Sequence, residues 1–186
     1  MAACPQRNAH SKTELKLALR AVAACVLREA FSQFETNLMV LRKSDDPEVV
    51  HQARIGWRRF RSALRLFKPA LTDNARPLSS ALPSLLNLLG ELRDLDVAWH
   101  DTLPPLKEAY TAGNTKRLKA WLSMLQALQQ AGKRHRQSLR VALRSPEVGA
   151  DMVATTAWLQ ALSDADADMD PHTNKKVNVS LRCWSE

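Results

Sequence analysis

The sequence predicts an all-α protein: an elongated antiparallel bundle of long helices with a basic groove. Glycine is scarce, at 5 of 186 residues, while Leu and Ala are abundant. Apolar residues recur at intervals of three and four, and no long stretch alternates with period two. Proline-marked breaks separate runs long enough for many helical turns, and long helices joined by short turns pack as antiparallel neighbours. One helical domain is expected over residues 12–162, followed by an acidic and then irregular tail over 163–186.

Ser11 and Glu14 form a capping-box pair at the start of a first helix expected from about Lys12 to Arg42. Its apolar row includes Leu15, Leu19, Val22, Val26, Phe34, Leu38 and Leu41. Asp46, Pro47 and Glu48 supply an N-cap, a first-turn proline and an acidic first turn for a second helix, which Pro69 bends or ends near Leu71. A third helix is expected between about Pro77 and Thr102, with Pro83 near its first turn and Leu82, Leu85, Leu86, Leu89 and Leu92 on its apolar side. Pro104 and Pro105 break the chain or begin a short helix through Tyr110, and Thr111 to Thr115 form a turn. A long helix from about Thr115 to Arg144 buries Leu118, Trp121, Leu125, Leu128, Gly132, His135, Leu139 and Ala142, with His135 as a satisfied core histidine. A last helix spans about Pro146 to Leu162.

Function is most legible in the second helix. Val49 to Thr72 holds six Arg and Lys residues and no acid. On a helix, Val50, Ala53, Trp57, Phe60, Leu64, Phe67 and Leu71 form an apolar row. His51, Arg54, Arg58, Arg61, Arg65 and Lys68 repeat the same spacing one residue later, and Arg59 falls on the other side. At about 1.5 Å per residue this ladder is roughly 25 Å long. Its self-repulsion must be offset by carboxylates of other helices or by an external polyanion. Arginine predominates, and its planar fork meets phosphate oxygens bidentately where lysine offers a point charge. A solvated face is the bland alternative, but the shared face, the choice of Arg and the missing acidic i,i+4 partners favour phosphate. His51 heads the cationic row, so anion binding is expected to tighten as pH falls toward about 6.

Ala109 to Pro146 is also free of acid and holds eight Lys and Arg residues. Lys116, Lys119, Lys133, Arg140 and Arg144 lie on a polar row beside the apolar one, so two helices are expected to present basic rows to one groove. In LGELRDLDV, Leu89 to Val97, Asp94 and Asp96 resemble a metal-binding pair. They stand about 200° apart on a helix and cannot chelate one ion, so one of them is expected to orient an arginine of a neighbouring helix.

The net charge of +8 suits a protein that meets phosphates, nucleic acid or an acidic surface. Cys4, Cys25 and Cys183 are odd in number and far apart, which fits neither a disulfide framework nor a zinc site and suggests a reducing cytoplasm. The most apolar early stretch, Leu15 to Leu27, contains Lys16 and Arg20 and is too short to cross a bilayer, so no membrane partner is expected. Asp164, Asp166, Asp168 and Asp170 do not make a calcium loop, because Met169 stands where glycine is needed and Lys175 where the bidentate glutamate is needed. They read as a solvated tail, or as a segment that competes with the ligand for the basic groove. No catalytic set, Gly-rich phosphate loop or metal-ligand pair is found, so a binding protein without cofactor is expected rather than an enzyme.

The segments DPEVVHQARIGWRRFRSALRLF, Asp46 to Phe67, and LGELRDLDV resemble the CHAD family, the conserved histidine α-helical domain. The resemblance runs from about Leu15 to Leu162 and corresponds to the N-terminal half to two-thirds of such a domain. The second half usual in the family, with its own His and Arg/Lys helix, has no counterpart after Leu162. The resemblance implies an all-α fold around a basic groove that binds inorganic polyphosphate, at polyphosphate granules or beside a triphosphate-processing CYTH-type partner. By motif position, His51, Arg54, Arg58, Arg59, Arg61 and Arg65 match the anion-binding helix, and Arg93, Asp94 and Asp96 match the second signature. Nucleic acid and acidic proteins are the alternative partners, with nucleic acid disfavoured by the few aromatic residues left to stack on bases.

Overall fold

The computed structural model describes residues 6–71 and 79–167. Among them all regular structure is helical, as the periodicity predicts. The α-helices are α1 Gln6–Leu41, α2 Pro47–Leu66, α3 Leu82–Val97, α4 Lys107–Thr111, α5 Thr115–Ala142 and α6 Pro146–Ala167. Short 3-10 turns cover Lys68–Ala70 and Pro104–Leu106, and a π turn covers Ala98–Thr102.

The chain divides into two compact units. The first gathers α1 through Ser32, α2 from Trp57, and α6 from Val153. Its buried residues include Leu27 and Phe31 of α1, Phe60 and Ala63 of α2, and Trp158, Leu159 and Leu162 of α6. Phe31 and Phe60 meet at a ring-centroid distance of 5.2 Å, and Trp57 and Phe60 at 5.4 Å, both tilted as the ring quadrupoles prefer. The Arg28 guanidinium donates to the Ser163 hydroxyl, which in turn donates to the Leu159 carbonyl.

The N-terminal face of α1 differs from the expected row. Leu15 is 62 % exposed, and Leu19 and Val26 are also exposed, while Ala23, Ala24, Leu27, Ala30 and Phe31 are buried. α1 is apolar on several sides, and the buried side is built largely from alanine, which a count of large side chains overlooks. The helix also begins at Gln6, ahead of the capping-box pair, so Ser11 is not its N-cap.

The second unit contains the rest of α1, the first turns of α2, and α3 through the start of α6. α3 packs along α5. Leu82, Leu85, Leu89 and Leu92 of α3 are buried, as are Trp121 and Leu139 of α5 and Phe34, Leu38, Leu41, Val50 and Ala53 of α1 and α2. The expected rows were too broad. Leu118 is exposed, Leu86, Leu125, Leu128 and Ala142 are half-buried, and Gly56 and Ala63 are buried on α2, while Trp57 and Leu64 of α2, and Phe67 and Leu71 beyond it, are only half-buried. Each helix buries a narrow stripe and leaves its flanking apolar residues at the margin.

The ends of the helices follow local chemistry. The Asp46 carboxylate accepts the Glu48 N–H at 2.8 Å, with Pro47 at the first helical position, so α2 starts as the sequence indicates. It ends at Leu66 instead of near Leu71, because Pro69 has no N–H and disfavours helical backbone before it, leaving only the 3-10 turn of Lys68–Ala70. α3 runs into the π turn, closed by the Leu103 N–H on the Ala98 carbonyl at 2.9 Å, and Pro104 and Pro105 then end the i→i+4 ladder. The turn before α5 passes through left-handed backbone at Ala112, φ 40°, and Gly113, φ 74°. Asn114 then caps α5, its side-chain oxygen accepting from the N–H of Lys116 at 2.9 Å and of Arg117 at 3.1 Å. The Arg42 guanidinium donates to the Leu143 carbonyl at 3.0 Å, satisfying a group at the negative end of α5. α6 continues to Ala167, past the expected end at Leu162, so Asp164 lies on a helix and accepts from Gln160 at 3.2 Å. Asp168 and Asp170 lie outside the described residues.

The start of α3 has a cap that the local sequence does not contain. α3 begins at Leu82 rather than near Pro77, and its own N-cap residue, Ala81, has no side-chain acceptor. One oxygen of Asp151, from α6, accepts from the Ser79 hydroxyl at 2.7 Å and from the N–H groups of Ala81 at 2.8 Å and Leu82 at 3.2 Å. Burial works to raise the Asp151 carboxyl, but the hydrogen bonds from Ser79, Ala81, Leu82 and Ser80 together outweigh it and hold it below the ordinary carboxylate value.

Asp151→Ala is therefore expected to cost about 1 kcal/mol of unfolding free energy at neutral pH through loss of the cap. Because the folded carboxyl is depressed, its stabilisation is present above the unfolded value near 4 and is lost as pH falls through the folded value. Denaturant unfolding of both proteins at a series of pH values should show the gap between them closing on acidification. A gap that persists in acid would show that the carboxylate is not what holds α3.

Candidate anion-binding site

Burial on α2 is set by Val50, Ala53, Gly56, Phe60 and Ala63, and this leaves the neighbouring row outward. Arg54, Arg58, Arg61 and Arg65 are exposed and His51 is half-buried. Arg59 is exposed as well, on a different face of α2. Lys68 is exposed but belongs to the 3-10 turn after α2, so the regular ladder ends at Arg65. No carboxylate of the described residues forms an ion pair with Arg54, Arg58, Arg61, Arg65 or Lys68. Among the described residues, therefore, no ion pair relieves the repulsion expected along the row.

The cations of α5 are treated differently. The Arg140 guanidinium donates to Asp45, in the connection between α1 and α2, at 2.7 Å. Arg136 Nη2 donates to Asp96 Oδ1 at 2.5 Å, and Arg136 Nε lies 3.6 Å from the same Asp45 oxygen that Arg140 uses. His135 Nε2 is 3.1 Å from Glu91 of α3, and its Nδ1 is 3.0 Å from the Ala131 carbonyl. His135 is thus satisfied as expected, but at the margin of the unit and not in its core: it is half-exposed and spans α5 and α3. Lys116, Lys119, Lys133 and Arg144 are exposed, and Arg93 of α3 is half-buried. Lys116 and Arg140 stand about 36 Å apart along α5 at 1.5 Å per residue, so a ligand touching both would have to be an extended chain.

Asp94 and Asp96 do not converge. Asp94 is exposed, while Asp96 is only 4 % exposed and is paired with Arg136, which matches the expectation that one carboxylate of this segment orients an arginine of another helix. The arginine is one that the basic rows did not include. Among the described residues no group of three His, Cys, Asp or Glu side chains could hold a metal ion.

Two glycines lie against these guanidinium groups. A Cβ on Gly90 of α3 would stand 2.9 Å from Arg54 Nη1, and one on Gly132 of α5 would stand 3.1 Å from Arg136 Nη1. Neither glycine has positive φ, so backbone conformation does not require them. Sequence reasoning missed Asp45, Glu91, Arg136 and Gly90 as parts of this arrangement. Gly90 alone carried a signal, as a glycine inside a strongly periodic helix.

The family model described as CHAD domain matches residues 25–182, most of the chain. It begins later than the resemblance carried by the two motifs and runs past Leu162. No curated protein and no solved structure matches the chain.

Removing Arg136 would leave the Asp96 carboxylate buried without its counter-ion. Arg136→Met is expected to cost about 3 kcal/mol in denaturant unfolding, within the range for breaking a buried pair. Adding Asp96→Asn should recover most of that loss, and a double variant as unstable as the single one would show that packing, not charge, is what Arg136 supplies.

Proposed function

The chain belongs to the CHAD domain family, and from that membership we propose that it binds inorganic polyphosphate through the exposed cations of α2, with those of α5 contributing. The family is associated with polyphosphate binding. The observation that carries the reading is the row Arg54, Arg58, Arg61 and Arg65, exposed along one helix and without an ion-paired carboxylate among the described residues. A rigid row of planar forks suits a linear chain of phosphates, each offering oxygens to a bidentate donor, and release of condensed counterions supplies much of the affinity. His51 and Arg59 of α2, Arg93 of α3, and Lys116, Lys119, Lys133, Arg140 and Arg144 of α5 complete the proposed contact set. Asp96 supports it through Arg136.

The proposed role is binding without turnover, in the cytoplasm or at polyphosphate granules, with a CYTH-type protein as the companion that would process the ligand. No described helix is long and apolar enough to cross a membrane. Nucleic acid is the weaker reading because the aromatic rings nearest the ladder are engaged in packing: Trp57 is half-buried against Phe60, and Phe60 is buried against Phe31. Trp57 and Phe60 are thus occupied in packing and poorly placed to stack on bases.

Arg58→Ala combined with Arg61→Ala should abolish polyphosphate binding while circular dichroism shows unchanged helicity. Retained binding would move the site elsewhere or favour an acidic protein as partner. With about six phosphate contacts, affinity should fall on the order of 10³-fold between about 50 and 200 mM salt if the duplex-DNA arithmetic carries over. Long-chain polyphosphate should displace labelled RNA or duplex DNA from the protein at much lower concentration than the reverse exchange requires, and equal competition would favour a general polyanion sink.

A further inference from the structure

A glycine inside a helix loses more backbone freedom on folding than alanine, so it persists where a side chain would cost something else. Gly90 occupies such a place. It lies inside α3 between the buried Leu89 and Leu92, without positive φ. The heavy atoms that an added Cβ would meet within 4 Å are Nη1 of Arg54 at 2.9 Å and Cζ of Arg54 at 4.0 Å. Packing of α3 against its neighbours therefore does not explain the glycine, whereas the position of one guanidinium does.

Among the described residues, no carboxylate pairs with that guanidinium. The nearest acid in sequence to Gly90 is Glu91, whose carboxylate is turned to His135 of α5 at 3.1 Å. Arg54 forms no ion pair among the described residues. It is thus laid over bare helix backbone, its orientation restricted on one side and its charge left for an incoming anion. Gly132 shows the same device with the opposite outcome: its missing Cβ admits the Arg136 guanidinium, which Asp96 then neutralises. One glycine seats an arginine paired with a buried carboxylate, and the other seats an arginine that has no ion pair among the described residues.

We infer that Gly90 is a positioning residue for polyphosphate binding, acting through Arg54, whose guanidinium it holds in the orientation that engages phosphate. This rests on the proposed polyphosphate reading. The role needs no contact between Gly90 and the ligand. A methyl group at position 90 would displace the flexible end of Arg54 rather than the backbone of α3, so fold and binding should respond in opposite directions.

The test is a cycle of four full-length proteins, the wild type, Gly90→Ala, Arg54→Ala and the double variant, each titrated with polyphosphate of one length at several salt concentrations and melted in parallel. Gly90→Ala should keep or raise the melting midpoint, yet weaken binding several-fold. Arg54→Ala should weaken it on the order of tenfold, as expected for one charge-assisted contact. In the Arg54→Ala background, Gly90→Ala should have no further effect. Both single variants should also show a shallower dependence of log affinity on log salt, by up to about one phosphate contact. Additive losses, unchanged affinity in Gly90→Ala, or a lowered midpoint in Gly90→Ala would each overturn the inference, as would an Arg54→Ala variant that binds like the wild type. Failure of the underlying functional reading is distinguishable: the wild type itself would not bind, and the positioning role would fall with it.

Discussion

A carboxylate that is 4 % exposed is costly to bury without a partner, and Asp96 therefore dictates where α5 lies along α3. Its counter-ion, Arg136, is held from three sides: by the Asp96 bond, by Asp45 beyond it, and by the space left at Gly132. Sliding either helix by one turn, about 5.4 Å, would strand the charge. The pair is not a perfect one, since Asp96 Oδ2 has no hydrogen-bond partner among the described residues. Its contribution is accordingly more to register than to raw stability, which apolar residues such as Leu89, Leu92 and Leu139 supply around it.

That arrangement sorts the arginines of the second unit into two groups. Asp45, Asp96 and Glu91 are all committed to α5, on Arg140, Arg136 and His135. Arg42 is committed to a carbonyl at the end of α5. Arg54, by contrast, forms no ion pair among the described residues, and neither do Arg58, Arg61 and Arg65. An even mixture of acids and bases would bury as well but would leave no field for an anion to enter.

Much of this was legible in the sequence. Asp46 and Pro47 marked the start of α2, the turn of Thr111 to Thr115 marked the start of α5, and the offset between the Phe60 row and the Arg61 row placed the cations outward. The pairing of Asp96 with an arginine of another helix was also readable, because two carboxylates about 200° apart on one helix cannot share a ligand. The failures have physical causes. The middle of α1 buries Ala23, Ala24 and Ala30, and alanine carries little hydrophobic signal, so the row of large side chains through Leu15, Leu19 and Val26 points to the wrong face. Asp151 caps α3 from 69 residues beyond Leu82, and no local rule can see a cap supplied by tertiary structure. Arg136 escaped because it lies one residue off both the apolar and the basic row, at an angle that only the packed α3 makes useful.

The first turn of α5 places Lys116, Arg117 and Lys119 at the positive end of a helix, with the neutral Asn114 as cap. Cations there oppose the backbone dipole as well as one another. Dissolved ions screen that repulsion and so ease the folded state, while the same ions take the place of a polyanion on the cationic rows. At this end of α5, therefore, added salt favours the helix, whereas under the proposed function it would oppose the ligand, so the two respond to ionic strength with opposite signs.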